Sequence, residues 1–122
     1  MSCIFCDIVN KKANASIIFE NKKVICFLPK EMEVYGHLLV VPKDHYENIF
    51  DISKEDLFEF ISVVQDMSNH IKKSLGATGV NILNANGKDA ETQLPVSGKI
   101  FIILSSLNPP YFEYAFIALI EA

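Results

Sequence analysis

The stretch SKEDLFEFISVVQDMSNHIKKSLG, residues 53–76, decides the fold class. Ser53 is placed to cap a helix, and Asp56 follows three residues later, as in a capping box with Asp in the Glu position. Gly76 stands where a left-handed residue commonly ends a helix. Between them, apolar residues recur at helical spacing and form one stripe: Leu57, Phe60, Ile61, Val64, Met67, Ile71 and Leu75. The pattern predicts one long helix over residues 53–75.

Short apolar runs of strand character flank this helix on both sides. They cover residues 16–19, 24–28, 38–41, 80–83 and 100–104. A polar turn joins the first two runs into a predicted hairpin, and Pro42 stops the third. Residues 4–9 read as a short helix, residues 84–90 as a polar loop, and residues 111–120 as either a strand or a helix. The order predicts an α+β fold, with an antiparallel sheet of about five strands, one long helix and one short N-terminal helix.

Composition limits the class of protein. A chain of 122 residues, 50% of them apolar, suits a single domain over residues 1–122 that buries a core without disulfides. The net charge of -4, with both signs interspersed, argues against a nucleic-acid partner. No apolar run is long enough to cross a bilayer, and the first residues do not have the pattern of a signal peptide. The three cysteines fit a reducing compartment, so we expect a cytoplasmic protein.

Three segments, taken in order, resemble the histidine-triad (HIT) family of nucleotide-binding proteins. They are CIFCDIV (residues 3–9), GHLLVVPKDHYEN (residues 36–48) and GVNILNANGKDA (residues 79–90), with the long helix between the last two. The resemblance implies the HIT fold and a purine nucleotide ligand such as AMP or GMP. It also implies hydrolysis of a nucleoside phosphoramidate or dinucleoside polyphosphate through a covalent nucleotidyl-histidine.

The family's catalytic motif is a Gln followed by three His at alternate strand positions, and its histidines are absent here. Alternate residues share one face of a strand, so three imidazoles can converge on one phosphate. Aligned on Gln93, the three positions hold Ser97, Lys99 and Phe101, and a shift of one residue supplies no histidine either. Lys99 would act as a nucleophile only if its amine lost its proton. We therefore expect a purine nucleotide-binding protein that is inactive as a hydrolase.

From about residue 92 onward the sequence diverges from the family. A shifted reading frame, a splice junction, an engineered tail and natural divergence all remain open as explanations. The alternative function is a non-enzymatic, dimeric binding or assembly module with an altered C-terminal part.

Two cysteines and one histidine form a possible metal site. Cys3 and Cys6 make a CxxC pair, and the resemblance adds His45 as a third ligand. The fourth ligand comes from the triad segment in metal-binding relatives and is missing, so zinc would be weakly held. The alternative is a pair of small buried thiols beside a surface histidine. Cys26 lies in an apolar run and is interpreted as inert core.

The resemblance also implies nucleotide contacts, at Ile4, Phe5, Ile8 and Phe27 for the base and at His37, Asn84, Asn86 and Gly87 on the phosphate side. From periodicity alone, the apolar four read as core and the loop as an ordinary turn. Asn amides and a glycine that admits close backbone approach nevertheless suit a phosphate. Pro29 stands where relatives carry an acidic residue for the ribose hydroxyls, and Glu31 is a possible substitute.

The resemblance implies a two-fold homodimer that pairs long helices and edge strands. Phe58, Val63 and Met67 extend the apolar character of the long helix beyond its stripe. Residues 80–83 are nearly continuously apolar, as in a strand covered on both faces. Closed two-fold pairing is the commonest way to cover such a surface. The alternative is that these residues meet the C-terminal tail, residues 111–120, of the same chain.

Overall fold

The computed structural model describes residues 3–29, 37–91 and 99–106. In chain order the elements are α1 Ile4–Val9, β1 Ala15–Glu20, β2 Val24–Pro29, β3 Leu38–Pro42, α2 Lys54–Leu75, β4 Val80–Leu83, α3 Lys88–Glu91 and β5 Ile102–Ser106. All neighbouring strands pair antiparallel in one sheet of order β1-β2-β3-β5-β4. The predicted α+β fold with five strands, one long helix and a short N-terminal helix is confirmed. Within the described ranges, none of the helices combines the length and apolarity that a bilayer crossing needs.

The two faces of the sheet carry separate hydrophobic clusters, because side chains alternate along each strand. On one face, residues of β2, β3 and β5 pack against the buried stripe of α2. On the opposite face, α1 covers an aromatic cluster of Phe5, Ile8, Ile25, Phe27, Leu39, Val41, Phe101 and Ile103. Cys26 lies on the α2 side and is fully buried. Its burial raises the pKa of the thiol to about 12, as expected for an inert core cysteine.

Helix α2 begins and ends as the sequence predicts. The Ser53 hydroxyl accepts a hydrogen bond from the Asp56 backbone N–H at 3.2 Å, and Gly76 adopts a φ of 65° at the C-cap. One assignment within the apolar stripe is wrong: Ile61 is 48% exposed, whereas Val63 is buried. The buried face of α2 includes Phe60 and Ile71, and Ile61 lies at the edge of that face.

A charged cluster fixes the start of α2 to the β1–β2 turn. The Asp56 carboxylate accepts hydrogen bonds from Lys23 Nζ at 2.7 Å and from the Tyr46 hydroxyl at 2.5 Å. These two bonds, that of Lys23 first, hold the pKa of Asp56 below its ordinary value of 3.8. Glu55 also contacts Lys23, but its side chain is 84% exposed.

Two local assignments differ from the sequence-based expectation. Strand β5 begins at Ile102, because the Ile100 N–H donates to the Tyr46 carbonyl at 2.8 Å and does not join the sheet. The predicted polar loop over residues 84–90 runs into one turn of helix, α3. Glu31, Gln93, Ser97 and the segment 111–120, all discussed above, lie outside the described residues.

Candidate metal and nucleotide site

The fold brings together the three predicted metal ligands. Cys3 is the N-cap of α1, Cys6 lies in its first turn, and His45 follows the end of β3. The His45 Nδ1 atom is 3.2 Å from Cys6 Sγ and 3.7 Å from Cys3 Sγ. All three ligand atoms lie within 4.8 Å of one another. Residues separated by about forty positions in the chain therefore share one small cluster at the surface.

The chemistry and spacing of this cluster fit zinc. Tetrahedral zinc with sulfur and imidazole ligands places neighbouring ligand atoms roughly 3.5–3.8 Å apart. The Cys6 backbone N–H also donates to Cys3 Sγ at 3.2 Å, a bond that favours the thiolate form a metal needs. Burial, followed by the neighbouring Cys3 thiol, raises the pKa of Cys6, whereas the charge of Lys99 lowers it. Cys3, Cys6 and His45 would hold the ion from three sides.

Lys99 is buried beside this cluster, with 1% of its surface exposed. Its Nζ atom donates to the Lys43 carbonyl oxygen at 3.3 Å and lies 3.9 Å from Cys6 Sγ. Burial lowers the pKa of the Lys99 amine, and the nearby thiols oppose that shift. Sequence reasoning considered Lys99 only as a replacement nucleophile. Its contact with the metal cluster could have been anticipated, because Lys99 lies in the segment from which metal-binding relatives draw their fourth ligand.

Three of the four residues implied for the purine base meet in the aromatic cluster. Phe5, Ile8 and Phe27 are at most 2% exposed, whereas Ile4 is 40% exposed. The Phe5 ring makes edge-to-face contacts with Phe27 at 5.9 Å and with Phe101 at 5.0 Å between ring centroids. Phe101, which the alignment on Gln93 assigns to a triad position, thus packs directly on a residue assigned to the base. In this arrangement these side chains act as core.

The amides of the predicted phosphate loop bind other parts of the chain. Asn84 Nδ2 donates to the Phe101 carbonyl at 2.8 Å, and Asn86 Nδ2 donates to Asn84 Oδ1. Asn86 Oδ1 accepts from the Ile49 N–H at 2.7 Å. Gly87 has a φ of 92°, a conformation that glycine adopts without strain. Hydrogen bonds therefore tie the loop to Phe101, just before β5, and to the segment before α2, and each amide retains a further N–H.

His37 lies immediately before β3 and is half-buried. Its Nδ1 atom is buried and has no hydrogen-bond partner within the described part of the chain. The structure gives His37 no contact with Asn84, Asn86 or Gly87 among the described hydrogen bonds. Its assignment to the phosphate stays a prediction.

Comparison with known proteins agrees with this fold. Residues 10–95 match the model of the HIT domain, so the chain belongs to the HIT domain family. It is 35% identical over 133 residues to an uncharacterized HIT-like protein of Saccharolobus solfataricus, covering 98% of this chain and 96% of that protein. It is 31% identical over 90 residues to an adenosine 5'-monophosphoramidase of Schizosaccharomyces pombe, covering 74% of this chain and 65% of that protein.

Among solved structures, the chain resembles a zinc-bound histidine triad family protein from Mycobacterium smegmatis. The TM-score is 0.80 at 26% identity, over 99% of this chain and 92% of that one. The fold is therefore that of the HIT family, with a donor set for a metal formed by Cys3, Cys6 and His45.

Proposed function

We propose that this chain is a purine nucleotide-binding member of the HIT family that does not turn over the family's substrates. The observation that carries the proposal is the environment of Lys99 and Phe101, at two of the three positions assigned to the triad. Lys99 is buried against Cys6 and a carbonyl oxygen, and Phe101 is packed on Phe5. Neither presents a nucleophile to a phosphate. The chain has three histidines. His45 faces the thiols, and His70 is hydrogen-bonded to Ser74 on α2. His37 precedes β3, and its buried Nδ1 atom has no hydrogen-bond partner in the described part of the chain.

An activity assay tests the absence of turnover. Loss of a covalent nucleophile commonly costs several orders of magnitude in rate, about 10⁴–10⁶-fold in a hydrolase. We expect hydrolysis of an adenosine phosphoramidate by the full chain to equal the background rate. Turnover that survives repurification and disappears in Lys99→Met would contradict the proposal and identify Lys99 as the nucleophile.

The proposed ligand is a nucleoside monophosphate such as AMP or GMP. The S. pombe relative is named for acting on an adenosine monophosphoramidate, so AMP is the first ligand to test. Phe5 and Phe27 are covered in this structure, and a base would reach them only by displacing their cover. That displacement costs free energy, so we expect weak, saturable binding.

Charge substitution in the loop tests the phosphate contact. Asn86→Asp is nearly isosteric and retains an acceptor for the Ile49 N–H, but it loses the donor to Asn84 Oδ1 and places a negative charge on the phosphate side. We expect it to weaken AMP binding in a titration while leaving adenosine binding unchanged. Asn69→Asp makes the same charge change on the exposed surface of α2 and should alter neither. Equal loss of both ligands in Asn86→Asp would mean that the loop has changed shape, and the phosphate assignment would fail.

We also propose that zinc is weakly held by Cys3, Cys6 and His45. The support is the donor geometry together with the zinc-bound neighbour from M. smegmatis. A site with three protein ligands leaves the fourth position to water or another group. All three cysteines are free thiols, which suits our proposed cytoplasmic location.

The exposed strand β4 favours a homodimer. It also favours the alternative role of the chain as an assembly module. It is the outermost strand beside β5, and Ile82 and Leu83 are 55% and 47% exposed. Ile82 pairs with Leu104, which belongs to the α2 side, and Leu83 pairs with Ile103, which belongs to the aromatic cluster. Among the described residues, both faces of β4 thus carry exposed apolar surface, which a second copy would cover.

A further inference from the structure

Phe50 is the most exposed large apolar side chain among the described residues, with 79% of its surface in solvent. It lies in the segment between β3 and α2. Two residues later, Ile52 is buried in the core on the α2 side of the sheet. The segment is therefore anchored to the fold while the Phe50 ring stays outside it.

Hydrogen bonds fix the backbone that presents Phe50. The Phe50 N–H donates to Asn48 Oδ1 at 2.9 Å, and the Asn48 N–H donates to Asp51 Oδ1 at 3.0 Å. The Glu47 N–H donates to the second carboxylate oxygen of Asp51 at 3.2 Å. A ring on an ordered turn has little conformational freedom left to lose when a ligand covers it.

This turn lies against the loop assigned to the phosphate. The Ile49 N–H donates to Asn86 Oδ1 at 2.7 Å, and a Cβ atom added to Gly87 would be 3.8 Å from Phe50 Cε2. Asn84 and Asn86 each use one amide N–H within the chain and retain another. An exposed aromatic ring, suited to a planar base, thus stands beside amide donors that suit phosphate oxygens.

The aromatic cluster is less accessible to a base than Phe50 is. Phe5 and Phe27, which the resemblance assigns to the base, are at most 1% exposed and pack on each other. A base would reach them only if a close-packed core opened. The Phe50 ring is already open to a ligand.

We propose that Phe50 is the stacking platform for the base of the bound nucleotide, whose phosphate lies on the amides of Asn84 and Asn86. This inference rests on the proposed nucleotide binding and puts the base outside the aromatic cluster. Stacking on an aromatic ring tolerates every base, because each base has a π face. The ligand class is therefore a nucleoside monophosphate, and AMP and GMP should bind with similar affinity.

Titrations with AMP and with ribose 5-phosphate, which lacks a base, test the platform. Loss of a stacking ring commonly weakens binding about five- to hundred-fold. We expect Phe50→Ala to bind AMP at least about five-fold more weakly and to bind ribose 5-phosphate as the unmodified chain does. Phe58→Ala is the matched control, because Phe58 is 69% exposed on α2, and it should alter neither affinity.

Fluorescence gives a second measurement, because the chain contains no tryptophan. Phe50→Trp keeps an aromatic face and places the only indole of the chain at the platform. AMP should quench its fluorescence saturably, since the base stacks on the indole, and ribose 5-phosphate should not. Phe58→Trp should respond to neither ligand.

The outcomes separate this inference from nucleotide binding itself. If AMP binds neither the unmodified chain nor Phe50→Trp, nucleotide binding and the platform are both refuted. If AMP binds the unmodified chain and Phe50→Ala equally, nucleotide binding stands and the platform is refuted. Light scattering that shows a dimer for the unmodified chain and a monomer for Phe50→Ala, with equal AMP affinity, would make Phe50 a subunit contact instead.

Discussion

Replacement of Ile82 by glutamate is expected to convert a dimer of this chain into a monomer. Ile82 lies in the outer strand β4 and is 55% exposed in the single chain. If two copies join their sheets at this strand, each copy contributes one Ile82 to the interface. Glutamate at this position would remove apolar area from both copies and introduce two carboxylates.

The size of the effect follows from burial. Complete burial of an isoleucine side chain contributes about 1.5–3 kcal/mol, so covering the exposed half contributes roughly 1–1.5 kcal/mol per copy. Two copies together lose roughly 2–3 kcal/mol, and an unpaired carboxylate left in the interface costs several kcal/mol more. A total above about 4 kcal/mol corresponds to at least a 10³-fold weaker dimer.

Light scattering over a concentration series in the micromolar range measures the change. The matched control is Ile17→Glu. Ile17 is 41% exposed and lies in β1, at the opposite edge of the sheet from β4. We expect two chains per particle for the unmodified protein and for Ile17→Glu, and one chain for Ile82→Glu. Circular dichroism should show that all three are folded.

Two results would refute this reasoning. An unmodified protein that stays a single chain as it is concentrated would mean that β4 is not covered by a second copy. Dissociation by Ile17→Glu, with Ile82→Glu still dimeric, would place the interface at β1.

Two further predictions concern the metal and the start of α2. After purification in reducing buffer without chelators, elemental analysis should find less than one zinc per chain. The zinc should be lost in Cys6→Ser and retained in Cys26→Ala. An unchanged zinc content in Cys6→Ser would show that the assigned ligands are wrong. Because the pKa of Asp56 is depressed in the folded state, its contribution to stability is present above about pH 4 and is lost as the pH falls through the folded-state value. In thermal unfolding, Asp56→Asn should therefore be less stable than the unmodified chain near neutral pH, and this loss of stability should shrink in acid. Glu55→Gln should change the stability little. A loss of stability in Asp56→Asn that does not depend on pH would contradict the role given to Asp56.

Local sequence signals were sufficient for most of the fold. The capping serine, the apolar period and Gly76 each act within one helix, so α2 is predicted almost to the residue. The start of β5 was not predictable in this way, because the Ile100 N–H bonds to Tyr46, more than fifty residues away. The exposure of Ile61 likewise depends on how α2 is rotated on the sheet, which no pattern within the helix determines.

The candidate site required both resemblance and tertiary structure. The CxxC pair is visible in the sequence, but His45 joined it only through the resemblance, and the fold confirms that the three side chains meet. Lys99 stands 93 positions after Cys6, and their contact exists only because the segment before β5 passes beside α1. The hydrogen bond from the Ile49 N–H to the Asn86 side chain is similarly non-local, and it links the predicted loop to the segment before α2.

The packing of Phe101 bears on what the missing triad means for this chain. Its ring is 4% exposed and contacts Phe5, which in turn contacts Phe27, so position 101 is part of the aromatic cluster. A histidine there would bury an imidazole among apolar side chains, and an unsatisfied buried polar group costs about 1–3 kcal/mol. Loss of the phenyl ring would remove edge-to-face contacts as well. The present packing around Phe5 therefore disfavours a histidine at position 101, through the cost of a buried imidazole and through the lost ring contacts.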